Sequence, residues 1–369
     1  MKKSIARIQI IIFLIFVLIL TGCTQNTSAA LGDSEEIVIT DMLGREVTLT
    51  STDNTAVAIG PGALRLYCYV ANTDDLVGIE QLEIDNPIGR PYMMANPALV
   101  DLPIIGQGGP ANAPDPEKLI TASPDVIFTM YNSDAAAVDE LQSKTGIPVI
   151  ALTYGQTEAF DPDLDKSLSI IGQVMGEEER AQEVIDFFAQ CKEDLNDRTK
   201  DIADEDKATV YLGSQSMKGA HGIESTSGDY SLFNVVNAIN VVDLEGISEY
   251  VMLDKEKILD MDPEYIFIDT AGLSIVMEDF NNNAEYYNGL SAFKNGKVYS
   301  QLPYNYYYTN IDVAISDAYY IGKIIYPDKF EDIDIQTKAD EIFEFLVGKE
   351  IYTDLANDFH GGFMQLTFE

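Results

Sequence analysis

Tryptophan is absent from the 369 residues, histidine occurs only as His221 and His360, and cysteine only as Cys23, Cys68 and Cys191. Three cysteines so widely spaced make no disulfide framework, and two histidines without a Cys/His cluster exclude a zinc site of the usual spacing. Basic residues are scarce: 23 Lys and Arg stand against 61 Asp and Glu, a formal net charge of −38. A surface of that sign repels phosphate, which excludes nucleic acid as a partner and excludes an anionic lipid surface gripped through charge. The acidity is read as a solubility device. Also missing are the Gly-x-Ser-x-Gly elbow, the Gly-x-x-x-x-Gly-Lys phosphate loop and the Gly-x-Gly-x-x-Gly fingerprint, so three common catalytic and nucleotide-binding chemistries have no anchor here. The one long apolar run, Ile8 to Leu20, falls short of the roughly 20 residues a membrane span needs.

That run follows Lys2, Lys3 and Arg7 and ends in Leu20-Thr21-Gly22-Cys23. Its length fits a signal-peptide core. The segment resembles a bacterial lipoprotein signal over residues 1–22, which implies cleavage before Cys23 and lipid attachment to its thiol. An uncleaved N-terminal anchor is the alternative, and both place the rest of the chain outside the cytoplasmic membrane. Residues 23–36 are small and polar, a flexible tether.

From residue 37 the pattern is that of an α/β protein. Ile37 to Leu49 alternates about a turn at Gly44 and reads as a β-hairpin. Ala56 to Ile59 is a short apolar strand stopped by Gly60-Pro61-Gly62, Ala63 to Val70 a helix, and Asp75 to Ile79 a further strand. Residues 177–202 hold neither Pro nor Gly. Ala181, Val184, Ile185, Phe188, Cys191 and Leu195 recur there at three- and four-residue steps, and Glu177 to Glu179 sit where a helix dipole favours negative charge. The spacing predicts one long helix. An internal echo flanks it: residues 116–128 match residues 255–267, with Glu117/Glu256, Lys118/Lys257, Pro124/Pro263, Ile127/Ile266 and Phe128/Phe267 identical. Each copy reads as a short helix, a Pro turn and a buried strand. Further along, residues 209–213 form a strand, 214–229 a polar glycine-rich loop, 230–240 a helix, and 338–346 an acidic tail helix. Strands alternating with helices imply parallel sheets covered on both faces. The expected fold is α/β, two Rossmann-like lobes with mainly parallel sheets joined by one long α-helix, with boundaries at 37–176, 177–202 and 203–369.

Thr40-Asp41-x-x-Gly44-Arg45-x-Val47-x-Leu49, Asp75-Leu76-Val77-Gly78, Leu102-Pro103-x-x-Gly106, Glu117-Lys118-Leu119 with Pro124-Asp125-Val126-Ile127, and Ile171-Gly172-x-x-x-Gly176 before the central helix occur in this order. Together they resemble the solute-binding proteins that serve iron-siderophore, haem and cobalamin ABC importers, of the helical-backbone type. The likeness spans the mature chain. It implies a monomeric, lipid-anchored receptor that grips a metal chelate between two lobes without altering it. The partners implied are an ABC permease dimer and its ATPase. The ligand implied is a ferric siderophore, with a corrinoid or haem as alternatives; no catalytic residue, resident cofactor or protein-built metal site is expected. In that family an acidic residue near this place on each lobe docks onto basic sites of the permease, and Glu117 and Glu256 match those places.

In open parallel sheets a ligand sits beyond the carboxyl ends of the strands. The loops so placed are 60–62, 81–94, 106–112, 215–224 and 304–308, with Tyr131, Tyr154 and Thr270. Within or beside them, Arg65 and Arg90 are scarce cations that would offset an anionic chelate. Tyr92, Tyr131, Tyr304, Tyr306 and Tyr308 offer an aromatic face with a hydrogen-bonding tip, Lys218 a charge, and His221 an axial ligand for haem or cobalt. Tyr306 and Tyr308 share a face if their segment is extended. Cys68 and Cys191 read as small buried apolar groups. Two other functions stand beside the receptor. A nitrogenase-type oxidoreductase component would need more cluster-ligating cysteines than Cys68 and Cys191 supply; a lipoprotein that senses its ligand would share the receptor's fold.

Overall fold

The computed structural model describes residues 36–131, 134–155 and 159–368. The expected signal, Cys23 and nearly all of the tether lie outside the described residues. Ile37–Thr40 (β1) and Glu46–Leu49 (β2) pair antiparallel. Their turn needs Gly44, at φ 76°, and is held by Asp41, whose Oδ1 accepts the Leu43 and Arg45 N–H groups.

The first lobe then runs β3 (Ala56–Ile59), α1 (Ala63–Val70), β4 (Ile79–Glu80), α2 (Gln81–Asp85), α3 (Pro91–Ala95), β5 (Ile104–Gly106), α4 (Pro116–Ala122), β6 (Val126–Thr129), α5 (Ala135–Thr145), β7 (Val149–Ala151) and α6 (Pro162–Met175). β3, β6 and β7 form a parallel sheet with β6 in the middle. A parallel β4–β5 pair adjoins it through a bridge from Ala56 to Leu76. The strand expected over 75–79 is shorter and later than its apolar pattern suggests. Thr73–Asp75 is a 3-10 turn whose Asn72 cap takes the Asp74 N–H, and after the single bridge at Leu76 the strand proper is only Ile79 and Glu80.

α7 (Glu178–Thr199) is unbroken, about 33 Å at 1.5 Å per residue. Beyond it come β8 (Thr209–Gly213), β9 (Ser225–Ser227), α8 (Ser231–Asn234), β10 (Ile239–Asn240), β11 (Tyr250–Met252), α9 (Lys255–Met261), β12 (Tyr265–Asp269), α10 (Leu273–Tyr287), α11 (Ser291–Lys294), β13 (Val298–Gln301), α12 (Ile311–Ile325), α13 (Ile335–Val347) and α14 (Tyr352–Asp358). The second sheet is wholly parallel, in the order β10-β8-β12-β13. The helix expected over 230–240 stops at Asn234. Asn237 takes φ 54° and the chain re-enters the sheet as β10, where Ile239 and Asn240 pair with Thr209 and Val210 of β8.

The internal echo is structural. α4 and β6 start 139 residues before α9 and β12, and both helices close on a left-handed residue, Ser123 (φ 52°) and Asp262 (φ 37°), ahead of Pro124 and Pro263. β6 and β12 are interior strands of their sheets.

α7 buries Ala181, Val184, Phe188, Cys191 and Leu195 in an apolar cluster that also holds Phe128 and Ile150 of the first sheet and Leu212 and Phe267 of the second. Each large side chain so buried contributes roughly 1.5–3 kcal/mol. The turn from α6 into α7 requires glycine twice. Gly176 takes φ 72°, and a Cβ on Gly172 would meet the Ala181 Cβ at 2.7 Å. Near its start, Arg180 donates from Nε to the Tyr69 carbonyl of α1 and from Nη2 to the Phe345 carbonyl of α13. The helix is thereby tied to both lobes. No helix among the described residues is long and apolar enough to cross a membrane.

Candidate ligand-binding site

The carboxyl ends of the two sheets face each other across a seam, and the loops leaving the strands build it. After β3, Gly60 and Gly62 hold φ 90° and 84°. A Cβ on Gly60 would lie 3.0 Å from the Tyr131 backbone nitrogen, and one on Gly62 would lie 2.6 Å from the Tyr154 ring. Glycine therefore lets the loops after β6 and β7 close over β3. From the second sheet, the loop after β13 reaches back across the seam with Tyr307 and Tyr308 at φ 55° and 78°. Consecutive left-handed non-glycine residues are strained.

Arg65 holds that loop. It lies in α1 and is fully buried. Its Nε donates to Asn310 Oδ1 at 2.7 Å; Nη1 donates to the Tyr154 hydroxyl and the Thr309 carbonyl, both at 2.9 Å; Nη2 donates to the Tyr306 and Tyr307 carbonyls at 2.8 and 3.3 Å. A guanidinium has five N–H donors, and protein acceptors take all five. The ligand contact expected of Arg65 is thus replaced by a clamp between lobes.

Arg90 is also buried. Its Nη1 donates to Glu83 Oε2 at 2.7 Å and to the Leu82 carbonyl, and its guanidinium lies 5.2 Å from the centroid of the Tyr307 ring. Its Nε is buried without a partner. Tyr92 is buried with its hydroxyl donating to the same Glu83 oxygen, so it supports Arg90 and does not face a ligand.

At the centre of the seam lies Glu80, only 3% exposed. Its Oε2 accepts the Gly60 N–H and the Tyr307 hydroxyl, each at 2.9 Å, and its Oε1 accepts the Tyr131 hydroxyl at 2.8 Å. The Gly109 N–H donates to the Tyr307 oxygen at 2.7 Å. Burial pushes the Glu80 carboxyl up, against the pull of those three hydrogen bonds. Burial and the neighbouring Glu80 charge push both phenols well above the ordinary tyrosine value.

Tyr306 and Tyr308 do not share a face, because the left-handed turn breaks the alternation of an extended segment. The Tyr306 ring packs on Phe359 and the Tyr308 ring on Tyr154, while Tyr304 stacks near Tyr230. Lys218 is exposed on the 214–224 loop. His221 is half-buried on the same loop, its Nε2 tied to the Met217 carbonyl at 2.8 Å. Neither is brought to the Glu80 cluster by any hydrogen bond. Glu117 and Glu256 are exposed, each in the first turn of its repeat helix. Beside the seam a cavity of ≈ 580 Å³ opens between Pro61, Met130 and Tyr131 at the strand ends, Pro114, and Val138 and Leu141 of α5, a volume usual for a small-molecule pocket.

Sequence reasoning missed Glu80 and Tyr307. Glu80 is the last residue of β4, one position before the loop read as ligand-facing. Its signal was a carboxylate inside an apolar strand, Ile79-Glu80, at a carboxyl end. Tyr307 carried no local signal apart from its place in the tyrosine run.

Residues 94–303, more than half of the chain, match the family model described as periplasmic binding protein. A Haemophilus influenzae relative, the molybdate-binding protein MolA, is 21% identical over 327 residues, covering 83% of this chain and 90% of its own. A Bacillus subtilis relative described as an uncharacterised ABC transporter substrate-binding lipoprotein, YvrC, is 21% identical over 58% of this chain and 66% of its own. The crystal structure of a periplasmic solute-binding protein from Veillonella parvula superposes with a TM-score of 0.69 at 16% identity, covering 88% of this chain and 96% of that one. With two parallel sheets, a bridging helix and facing strand-end loops, this chain belongs to the periplasmic binding protein family.

Proposed function

We propose that this protein is the substrate-binding component of an ABC importer. It takes a metal chelate, foremost a ferric siderophore, at the seam between its sheets and releases it to a permease dimer without chemical change. The observation that carries this reading is the seam itself. Loops from the carboxyl ends of both parallel sheets converge there on a cluster of tyrosines, and ligands of open α/β sheets bind at such edges. Phenols offer both an aromatic face and a polar tip, which suits an oxygen-rich, partly aromatic complex better than a simple oxyanion such as the molybdate named for the Haemophilus relative. A corrinoid or haem would use the same seam. The test is to purify the protein from its native medium and record its absorption spectrum and metal content. A ferric catecholate band supports the siderophore, a Soret or corrinoid spectrum selects the alternatives, and a colourless, metal-free protein that binds none of the three overturns the reading.

The remaining roles follow from that one. Cys23 is proposed as the lipid attachment site, which would hold the protein on the outer face of the cytoplasmic membrane. Glu117 and Glu256 are proposed as the permease contacts. Both are exposed in the first turns of helices that the internal repeat makes equivalent, and paired like charges suit a two-fold partner through orientation and on-rate. Replacing both with Ala should abolish uptake and leave ligand affinity unchanged; uptake that survives removes the docking role.

A further inference from the structure

We infer that Glu80, Tyr131 and Tyr307 form an oxygen-donor site for a hard trivalent cation, with iron(III) as the physiological candidate. The inference rests on the reading of the seam as the ligand site and narrows it, because it has protein oxygens bond the metal directly.

Three features point to a cation. The first is spacing. Tyr131 Oη lies 2.8 Å from Glu80 Oε1, Tyr307 Oη lies 2.9 Å from Glu80 Oε2, and the two phenol oxygens are 3.4 Å apart. An octahedral ion bonded at about 2.0 Å sets adjacent ligand oxygens about 2.8 Å apart. Each phenol oxygen already stands at that spacing from one oxygen of the carboxylate, and the two phenol oxygens would close to it from 3.4 Å by a small rotation of one ring. The second is charge. Glu80 is buried, and among the described residues no Lys, Arg or His forms an ion pair with it. Arg90, whose guanidinium lies over the Tyr307 ring, is committed to Glu83, and Arg65 reaches this cluster only at the Tyr307 carbonyl. A buried carboxylate without a counter-ion is costly, and a bound cation removes that cost. The third is the surrounding set of donors. The Gly60 N–H points at Glu80 and the Gly109 N–H at Tyr307, where they would stabilise ligating anions and orient them, as outer-shell hydrogen bonds do in metal sites.

The donor set selects the class of ion. Carboxylate and phenolate oxygens are hard ligands. On binding, each phenol gives its proton to solvent as its oxygen bonds the metal. The three negative charges of one carboxylate and two phenolates then neutralise a trivalent ion. Phenolate donors favour a small, highly charged ion over calcium and magnesium, which are held mainly by carboxylate, carbonyl and water oxygens. Tyr307 comes from the second lobe and the other two from the first, so the ion would bond both sides of the seam. Three positions remain for outside ligands if the carboxylate binds through one oxygen, and two if it binds through both. The ion could therefore arrive weakly complexed or inside a chelate that leaves positions open.

The experiment adds iron(III) nitrilotriacetate to the metal-free protein and follows visible absorption, with circular dichroism as the fold control. One equivalent should raise a phenolate-to-iron charge-transfer band and release two protons. Glu80→Gln, Tyr131→Phe and Tyr307→Phe should each weaken binding at least tenfold, and the double Tyr→Phe variant should abolish the band. Calcium or magnesium in excess should not compete. Iron bound without a band, as at surface carboxylates, overturns the inference, and so does a band that survives the double variant. Ferric desferrioxamine, whose chelator fills every position, is the second arm. If it binds while the nitrilotriacetate complex gives no band, the direct site is wrong and the chelate receptor stands. A band with the nitrilotriacetate complex and no binding of any ferric siderophore, corrinoid or haem would keep the site and overturn the chelate reading. Failure of both probes overturns both.

Discussion

Arg65 offers the sharpest test of how the seam is held. Replacing it with Met keeps most of the buried volume but removes five donors. Three of the contacts are short and involve buried acceptors: Asn310 Oδ1 at 2.7 Å, the Tyr154 hydroxyl at 2.9 Å and the Thr309 carbonyl at 2.9 Å. Stranding a buried acceptor costs about 1–3 kcal/mol, so three give a gross loss of roughly 3–9 kcal/mol. Removing a buried guanidinium returns part of that as relieved desolvation. The net expectation is a destabilisation of about 4 kcal/mol, against a total stability on the order of 5–15 kcal/mol for a domain. Arg65→Lys keeps a charge but can reach only some of the acceptors in one direction, and should lose about half as much. Urea unfolding at pH 7, followed by far-ultraviolet circular dichroism, measures both. The order Arg, Lys, Met in falling stability is the signature of a clamp. If Arg65→Met costs less than about 1 kcal/mol while ligand affinity collapses, the guanidinium serves the ligand and the structural argument is wrong.

Other outcomes follow from the same geometry. Burial raises the Asp312 carboxyl to about 6, with Arg65 pulling the other way, and raises Asp317 well above its ordinary value. Native protein then holds protons that the unfolded chain gives up near pH 4, so stability present below pH 4 is lost as pH rises towards 6. The loss is about 3 kcal/mol for Asp312. Asp312→Asn keeps an oxygen for the Val313 N–H and should flatten that slope; parallel unfolding curves for variant and parent across pH 4–6 would refute the assignment. Gly62→Ala forces a Cβ to 2.6 Å from the Tyr154 ring at φ 84° and should cost at least 1–3 kcal/mol. A thermal midpoint unchanged from the parent's would show that the Tyr154 loop yields freely.

Much of the architecture was readable before any coordinates. The α7 stripe, the absence of Pro and Gly inside it and its acidic first turn are local facts, and helix formation responds to local facts. The echo between residues 116–128 and 255–267 likewise predicted two interior strands in equivalent places. Errors fell where pairing overrode propensity. Within the 235–242 stretch, apolar enough for a helix, Ile239 and Asn240 instead form an edge strand, and of the residues expected in the strand after α1 only Leu76 and Ile79 pair. The site was less legible. Arg65, Arg90 and Tyr92 stood out as scarce or aromatic groups near strand ends, but which partner consumes a donor depends on elements distant in sequence. Arg65 meets Asn310 across 245 positions.

By itself the sequence determined which segments become helices and strands, that they repeat, and that one helix runs unbroken between the repeats. Periodicity and caps act over a few residues and need no distant partner. Only the tertiary structure decided that Tyr307 crosses the seam, that Glu80 meets two phenols there, and that Arg65 is consumed by the protein. The reason is that a left-handed turn at Tyr307 and Tyr308 is unfavourable alone. It persists because Arg65 holds the loop's carbonyls and Glu80 and Gly109 hold its phenol, contacts that exist only once both sheets are assembled.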